Sequence, residues 1–347
     1  MFEIEEFTHW NDLEALRGEW SDLCDRSPRV SPFQRPEWLL PWGQAFPPGE
    51  PWVLAVRRGG RLAALAPLLV YANPADAGRR TLAFCGGGVS DYCDVITDPT
   101  DPTDPTDPIG EDAAVAALLR HLAVRRERWE TGDLDPVPAN SPLLRLAPDG
   151  FAARTEPRDV CPGLDLPGRV EDLGEVVPTR QLANLRKVRR KAGEFGVLRL
   201  ETAGAETWEA RLSLLLRFYL ARRREPGRPD GATLSAFHRQ VAAGFLARGA
   251  LGLYTLCLDE DPLAALYGFR EGDTFHCYMQ GFNPLWAKLS PGVMGLGAVI
   301  EDLLSRGVRR VDFLRGKEPY KYGWGARDRE TFRRILNPPR NSRARDA

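Results

Sequence analysis

Three apolar segments follow one another between residues 250 and 282 and are separated only by short polar turns. They read "ALGLYTLCLD", "PLAALYGFR" and "TFHCYMQGF", with turns at Asp259-Glu260-Asp261 and Glu271-Gly272-Asp273. Antiparallel strands can be joined by a tight turn, whereas parallel strands need a crossover of about a dozen residues or more. This stretch therefore predicts an antiparallel meander of three strands.

A helix and a further strand are predicted directly after the meander. The helix is "AKLSPGVMGLGAVIEDLLSRG", residues 287–307, with apolar residues at helical spacing at Val293, Leu296, Ile300 and Leu303. The strand is "VRRVDFL". A doubly wound dinucleotide fold would instead place a glycine-rich turn after the first strand of a parallel unit. The order of elements therefore predicts a mixed α/β fold of another kind.

The start of this helix carries few side chains. Ser290 is a suitable N-cap, Pro291 suits a first helical turn, and Gly292 adds a position without a side chain. The amides of Gly292, Val293 and Met294 are then expected to point outward at the positive end of the helix dipole. Such a helix start is typical of a phosphate site. An ordinary capped helix that begins with Pro-Gly is the alternative.

Composition excludes several classes of function. The net charge of −1 gives no overall basic field that would gather DNA or an anionic membrane. No segment approaches the roughly 18 apolar residues that span a bilayer. The six cysteines form no Cys-x-x-Cys pair and have no histidine at metal-ligand spacing. We therefore expect no metal, no DNA partner and no membrane span, and a reduced, cytoplasmic setting.

The first half of the chain repeats the alternation of strands and helices. "FEIEEF" alternates like a strand, "WVLAVRRGGRLAALAPLLVYA" reads as a hairpin, and "TLAFCGGGVSDYCDVI" reads as strand, glycine loop and strand. The run "TDPTDPTDPTDP", Thr97 to Pro108, has proline at every third position, which disfavours both helix and ladder. We expect an extended surface loop without a chemical role.

The length of 347 residues and the 43% hydrophobic content favour two domains. A helix is predicted from about Glu111 to Trp129, and a proline-rich passage follows it. We place the boundary in that passage. The predicted domains are residues 1–165 and 166–340, followed by a tail of 341–347.

The element order of the second half resembles the GNAT N-acetyltransferase superfamily. Four segments are similar to the CelD-type acetyltransferases associated with bacterial cellulose and exopolysaccharide biosynthesis: "FHCYMQGFNPLWAKLSPGVM", "VDFLRGKEPYKYGWGA", "SPFQRPEWL" and "SDYCDVI". That branch is similar in turn to the Fem-type peptidyltransferases, which are built of two GNAT-like halves. The resemblance is densest from about residue 180 to 335. One departure is that the usual signature, Gln or Arg followed by x-x-Gly-x-Gly/Ala, is absent and "KLSPGV" stands in its place.

This resemblance implies two GNAT-like α/β halves, each a mixed, mostly antiparallel sheet flanked by helices. It implies an acyl-CoA-dependent N-acyltransferase with acetyl-CoA as co-substrate, acting on an amino sugar or another small amine in envelope polysaccharide synthesis. The donor pyrophosphate is expected in the C-terminal half, at Ser290, Gly292, Val293 and Met294. Two alternatives stay open: a Fem-type transferase whose donor is charged transfer RNA, and a catalytically degenerate GNAT module that serves as a scaffold of a synthase complex.

Acyl transfer from a thioester to an amine needs groups that orient the amine or take its proton, and a proton for the departing thiolate. Alternation on the strand before the helix places His276, Tyr278 and Gln280 on one face. His276 and Tyr278 are therefore catalytic candidates. The alternatives are a packed histidine and an ordinary half-buried strand tyrosine.

The segment "GKEPYKYGWGA", residues 316–326, is rich in functional side chains and poor in regular structure. The resemblance implies that Tyr320 or Tyr322 protonates the leaving thiolate, as a tyrosine does in many GNAT relatives. Lys321 is expected to hold a phosphate or a substrate carboxylate. Aromatic packing of the loop is the alternative for Tyr322 and Trp324.

Three aspartates complete the candidate site. Asp312 lies within a predicted strand, where burial of an unpaired carboxylate would be costly, and a salt bridge with Arg315 or Lys317 is its structural alternative. Asp91 and Asp94 follow the glycine loop of the first half and could bind the amine or hydroxyls of an acceptor. A turn-forming role is the alternative for Asp91.

A basic helix opens the second half, with the sequence "RQLANLRKVRRKAGEFG". Leu182, Leu185 and Val188 form its apolar stripe and leave Arg186 and Arg190 partly exposed. These arginines are predicted to bind an anion, which is the 3′-phosphate of CoA, a nucleotide-sugar acceptor or the acceptor stem of transfer RNA. A solvated helix face is the alternative.

Overall fold

The computed structural model describes residues 2–46, 49–99, 110–220 and 231–339. The chain separates into two compact units. The described residues up to Asp159, together with those from Glu330 onward, form the first unit, and Val160–Arg329 form the second. The sequence-based limits, 1–165 and 166–340, stay predictions.

The first unit contains strands of two to nine residues and four α-helices within its described residues. Its strands are β1 (Phe2–Phe7), β2 (Glu50–Pro51), β3 (Val53–Arg58), β4 (Arg61–Ala66), β5 (Leu68–Asn73), β6 (Arg79–Phe84), β7 (Ile96–Thr97), β8 (Thr131–Pro138) and β9 (Ala152–Val160). Its helices are α1 (Trp10–Ala15), α2 (Arg17–Arg26), α3 (Pro36–Ala45) and α4 (Gly110–Val124).

The second unit holds six strands and five α-helices within its described residues. Its strands are β10 (Gly163–Asp165), β11 (Leu198–Thr202), β12 (Leu251–Leu258), β13 (Asp261–Glu271), β14 (Thr274–Phe282) and β15 (Arg310–Asp312). Its helices are α5 (Thr179–Ala192), α6 (Trp208–Leu220), α7 (Gly231–Ala247), α8 (Pro291–Ser305) and α9 (Pro319–Gly323). The last strand of the chain, β16 (Glu330–Asn337), lies in the first unit.

Two sheets form the first unit among its described residues. One has the strand order β1-β3-β4-β7 and the other β2-β5-β6-β8-β16-β9. Strands β6 and β8 pair in parallel, whereas pairs such as β5–β6 and β8–β16 are antiparallel. Helix α4 packs its apolar face, with Val115 and Leu118, into a core that includes Leu54 and Val56 of β3. This burial fixes α4 against the first sheet.

The second unit is a single sheet, in the described residues, with the order β10-β15-β14-β13-β12-β11. Strands β12, β13 and β14 pair antiparallel in sequence, so the predicted meander is confirmed. Helix α8 then returns the chain so that β15 pairs parallel with β14. Helix α8 packs over β12 to β14 with α5 beside it, while α6 packs against β13 and β14.

Helices α6 and α8 lie on opposite faces of this sheet. A Cβ built at Gly281 would lie 2.7 Å from Cβ of Phe218 in α6, and one built at Gly295 of α8 would lie 3.1 Å from Cβ of Ala264. Gly281 pairs with Ala265, the neighbour of Ala264, and successive strand residues face opposite sides. Both units are thus mixed, mostly antiparallel sheets flanked by helices, and the predicted α/β fold class is confirmed.

The beginning of the Thr-Asp-Pro run departs from the prediction of a surface loop. Thr97 is buried and belongs to β7, which pairs with β4. Asp98 is buried as well, and its carboxylate forms ion pairs with Arg26 at 2.7 Å and Arg61 at 3.1 Å. A buried carboxylate needs such partners. The rest of the run, from residue 100 onward, and the predicted tail of 341–347 lie outside the described residues.

Candidate functional site

Two rows of side chains cross the second sheet beneath the start of α8. Cross-strand partners lie on the same face of a sheet, so each row follows the pairing of β11 to β14. The first row consists of Leu200, Leu256, Ala264 and Phe282. The second row consists of Tyr254, Leu266 and Gln280. Together they form a floor that is apolar apart from Gln280 and the hydroxyl of Tyr254.

Helix α8 lies over this floor because its apolar stripe faces the sheet. Val293, Leu296 and Val299, each three residues apart, line the space between helix and sheet. A Cβ at Gly295 would lie 3.1 Å from Cβ of Ala264, so the glycine allows the helix backbone to approach β13 closely.

Helix α5 is held against α8 by one apolar and one charged contact. A Cβ at Gly297 would lie 2.8 Å from both δ carbons of Leu185, so the leucine fills the space that the glycine leaves. The guanidinium of Arg189 donates two hydrogen bonds of 2.8 Å to the carboxylate of Glu301. These contacts place Gln181, at the beginning of α5, beside the cavity.

The floor, α8, α5 and α9 surround a cavity of about 520 Å³ whose lining residues all belong to the second unit. Ligand pockets typically measure about 300–1,000 Å³. Among the described residues that line it, none carries a charged side chain. The polar side chains in the lining are those of Gln181, Tyr254, Gln280, Ser290, Tyr320 and Trp324. The cavity therefore suits a largely neutral ligand.

Three of the four residues predicted to bind the donor pyrophosphate line this cavity, namely Ser290, Gly292 and Val293. Met294 does not, because its side chain is fully buried in the core cluster that includes Leu289. At Gly292 a Cβ would meet nothing nearer than Cδ1 of Phe282 at 3.9 Å. The helix start therefore presents bare backbone to an open space.

The local conformation of the helix start differs from the prediction. Ser290 has left-handed backbone angles, φ 56° and ψ 53°, and its side chain makes no capping hydrogen bond. The amides of Val293 and Met294 donate to the carbonyl oxygen of Ser290 at 3.0 and 3.4 Å. The expectation of a serine cap and three outward amides is therefore wrong. Of the predicted phosphate site, the bare backbone of Gly292 at the positive end of the helix dipole remains. Two residues before it, Ser290 has the left-handed backbone conformation, and such strained residues concentrate at functional sites.

Tyr320 lies at the edge of the same cavity, on α9. Its side chain is 39% exposed, and its ring packs edge-on against Phe313 with centroids 6.3 Å apart. Tyr322 is directed elsewhere, since its hydroxyl donates to Oδ1 of Asp328 at 2.8 Å. Of the two tyrosines predicted for this segment, Tyr320 is the one that the fold brings to the cavity.

Lys321 lies between these tyrosines but is buried. Its ammonium donates to the carbonyl oxygens of Leu314, Arg315 and Gly316 at 2.9, 2.9 and 3.0 Å, and it pairs with Glu318 at 2.9 Å. These contacts use the three N–H groups of the ammonium. Lys321 therefore holds together the segment between β15 and α9, and it is not among the residues that line the cavity.

A β-bulge in β14 separates the residues that alternation had placed on one face. Met279 pairs with Tyr267 and Cys277 with Gly268, which leaves Tyr278 as the extra residue. Gln280 consequently faces α8, whereas the ring of Tyr278 packs near His238 of α7, with centroids 5.5 Å apart. Tyr278 is thus not part of the cavity lining, and the shared face predicted for the two residues is wrong.

His276 and Asp312 are cross-strand partners on β14 and β15 and are both buried away from the cavity lining. Burial lowers the pKa of His276, although Asp312 acts in the opposite direction. Asp312 accepts a hydrogen bond of 2.8 Å from the amide of Leu314, whose φ of 58° is left-handed. This bond stabilises the turn that follows β15.

The two acidic residues predicted to bind an acceptor lie in the first unit. Asp94 is 1% exposed, and its Oδ1 accepts hydrogen bonds from the hydroxyl of Ser141 at 2.6 Å and the amide of Val95 at 2.8 Å. Burial raises the pKa of Asp94 to about 7, against the opposing effect of the Ser141 hydrogen bond. Asp91 is half-buried. Asp94 therefore stabilises the loop of the first unit, and neither residue joins the cavity.

Arg186 and Arg190 are exposed on α5 and do not line the cavity. Gln181, by contrast, lines it and was not predicted. Gln181 lies four residues before Leu185, on the apolar side of the helix. A polar residue on that side was the feature of the sequence that could have identified Gln181 as a site residue.

Two further findings concern the described residues. They contain no group of three or more His, Cys, Asp or Glu side chains arranged to hold a metal ion. None of their helices is long and apolar enough to cross a membrane.

Comparison with known proteins finds a domain match over the part of the chain that forms the cavity. Residues 179–322 match the GNAT acetyltransferase domain. This match covers less than half of the chain but includes all of the cavity residues except Gly323 and Trp324. The predicted GNAT resemblance is therefore confirmed for the second unit. No curated protein matches the chain in sequence.

Solved structures extend the similarity over both units. FemX superimposes with a TM-score of 0.65 at 11% identity, over 96% of this chain and 96% of that one. The C-terminal domain of a putative lysylphosphatidylglycerol synthetase from Agrobacterium fabrum gives a TM-score of 0.57 at 12% identity, over 93% and 91%. L-PGS from Bacillus licheniformis gives 0.56 at 11% identity, over 97% and 94%. At these identities the likeness shows the fold alone.

Proposed function

We propose that this protein is an acyl-CoA-dependent N-acyltransferase whose acceptor is an amino sugar or another small amine. The observation that carries the proposal is the convergence of the α8 start, Gln280 and Tyr320 on one cavity, within a unit that matches the GNAT acetyltransferase domain. The resemblance of four segments to CelD-type acetyltransferases supports a cytoplasmic role in envelope polysaccharide synthesis.

The cavity fits an acyl-CoA in two respects. The bare backbone at Gly292, at the positive end of a 15-residue helix, favours the phosphate groups of the donor. The uncharged walls suit its neutral pantetheine arm and acyl group. Ser290 and Gly292 would hold the phosphate end, and the donor supplies the acyl group as an activated thioester.

The amine nitrogen attacks the thioester carbonyl carbon, so a C–N bond forms and the C–S bond breaks. The amine releases its proton to water, and water returns a proton to the group that protonates the thiolate. We assign to Tyr320 the proton that the departing thiolate takes up, because tyrosine hydroxyls are protonated at neutral pH and serve as acids. The side-chain amide of Gln280 can donate to the carbonyl oxygen as negative charge develops there. Positioning of the two substrates supplies much of the remaining acceleration.

Calorimetry with acetyl-CoA tests this proposal directly. The full chain is expected to bind acetyl-CoA and, when the amine acceptor is supplied, to release free CoA. The absence of heat with CoA and with its thioesters would overturn the proposal.

A Fem-type transferase that uses charged transfer RNA is the second candidate. It is supported by α5, which has no acidic residue and exposes Arg186 and Arg190, and by the fold similarity to FemX. A nucleic acid would have several phosphates neutralised at once, so its binding should fall steeply with the logarithm of salt concentration. A steep slope with charged transfer RNA, abolished by Arg186→Glu with Arg190→Glu, and no heat with CoA would favour this candidate. Binding of neither donor would favour a degenerate scaffold.

A further inference from the structure

The apolar floor of the cavity continues well past the groups assigned to the chemistry. Gln280 lies on β14, and the floor extends from there through Leu266 and Leu256 to Leu200 on β11. Three strand spacings of about 4.8 Å separate β14 from β11, so the floor extends roughly 14 Å across the sheet.

The part of the cavity farthest from Gln280 is apolar. Leu200, Leu256 and Val299 contribute aliphatic side chains there. Tyr254 contributes its ring, since its hydroxyl is hydrogen-bonded to Asp302. An acetyl group carries a single methyl carbon beyond its carbonyl, so it would leave most of this surface in contact with water. A ligand that removes apolar surface from water lowers the free energy of the complex, so a longer apolar group should bind more tightly.

We propose that the natural donor carries a linear acyl chain of about four to eight carbons, whose methylene groups occupy the space between α8 and Leu200. The inference rests on the proposed function, because it takes the thioester to lie near Gln280 and Tyr320. The chain would extend from that point along the second row of the floor and then along Leu256 to Leu200. The far end of the cavity thus selects the acyl group, while the α8 start holds the phosphates.

The preference for a longer acyl chain can be tested with a series of CoA thioesters. Acetyl-, butanoyl-, hexanoyl- and octanoyl-CoA are titrated into the full chain, and their dissociation constants are compared. Each methylene that is buried should tighten binding by about fourfold, so butanoyl-CoA should bind at least tenfold more tightly than acetyl-CoA. Affinities that stay flat or fall with chain length would overturn the inference and leave the proposed function standing. Binding of none of the thioesters would overturn both.

A pair of matched variants locates the acyl chain. Leu200→Trp fills the far end of the cavity, and Leu198→Trp makes the same change two residues earlier on the same strand face, at a half-buried position outside the lining. Leu200→Trp should weaken octanoyl-CoA binding by at least tenfold and change acetyl-CoA binding by less than twofold. Leu198→Trp should leave both unchanged.

If Leu200→Trp lowers the affinity for acetyl-CoA and for octanoyl-CoA equally, the acyl chain does not reach Leu200 and the inference is wrong. If Leu200→Trp does not give the circular dichroism spectrum of the native chain, Leu200→Asn serves instead. It keeps a similar size at this half-buried position and replaces the apolar wall by an amide. It should weaken octanoyl-CoA more than acetyl-CoA, and equal effects on the two would again contradict the inference.

Discussion

Replacement of Gly292 by aspartate should affect stability and donor binding in opposite directions. The position accepts a side chain, because a Cβ there would meet only Phe282 at 3.9 Å and its φ is not left-handed. A carboxylate in the first turn of α8 interacts favourably with the helix dipole, by about 0.3–1 kcal/mol. The free energy of unfolding of Gly292→Asp should therefore equal or exceed that of the native protein.

The same carboxylate would lie where the donor phosphates are proposed to bind. Two unit charges about 5 Å apart repel by roughly 3 kcal/mol at an effective dielectric constant of 20, and by about 0.8 kcal/mol in bulk water. Gly292 is half-buried at the edge of the cavity, so the repulsion should fall between these limits. A loss of at least about 1.4 kcal/mol corresponds to a tenfold rise in the dissociation constant of acetyl-CoA.

Isothermal titration of acetyl-CoA into native, Gly292→Asp and Gly292→Asn protein gives the three dissociation constants, and urea unfolding gives their stabilities. The asparagine variant controls for size, and it should bind within about threefold of the native chain. Unchanged acetyl-CoA affinity in a folded Gly292→Asp variant would refute the placement of the phosphates at α8.

Three further predictions concern single side chains. Tyr320→Phe should lower turnover by about 10- to 10⁴-fold and leave donor affinity within about threefold of the native value, whereas the control Tyr322→Phe should retain native turnover. Near-normal turnover of Tyr320→Phe would exclude Tyr320 as the acid. Lys321→Met should lower the free energy of unfolding, measured by urea denaturation, by about 2–4 kcal/mol, because three carbonyl groups lose their hydrogen-bond donor. The exposed control Lys317→Met should change it by no more than about 0.5 kcal/mol, and similar effects of the two variants would contradict the hydrogen bonds of Lys321. Burial raises the pKa of Asp94 to about 7 in the folded state, so folding takes up a proton between about pH 4 and 7, and the free energy of unfolding falls as the pH rises through that range. Asp94→Asn should flatten this fall, and an unchanged pH profile of stability would contradict the raised pKa.

Local patterns in the sequence were sufficient to predict the meander and α8 of the second unit. Apolar runs separated by the turns at 259–261 and 271–273 predicted the meander, and the spacing from Val293 to Leu303 predicted α8. Both patterns depend on neighbours within a few residues, since a strand alternates with period two and a helix with period 3.6. The same locality explains why Gly292 could be singled out, because it lies at the start of a recognisable helix, whereas Tyr320 was proposed from the resemblance to GNAT enzymes.

Other features depend on partners that are far away in the chain. The bulge at Tyr278 arises from the pairing of β14 with β13, and it moves Gln280 to the α8 face without any signal in the strand itself. Lys321 looks like an anion-binding residue in its sequence context, and only the folded loop between β15 and α9 supplies the carbonyl groups that surround it.

The sequence by itself determined the period of each element and the chemistry available at the element ends. Tertiary structure decided which faces meet, because strand register and helix packing depend on contacts between residues that are distant in sequence. The cavity shows this division: its floor consists of residues from four strands, and its side wall depends on Leu185 filling the space beside Gly297. Strand β16 shows it as well, since it follows the second unit in the chain and yet pairs with β8 of the first.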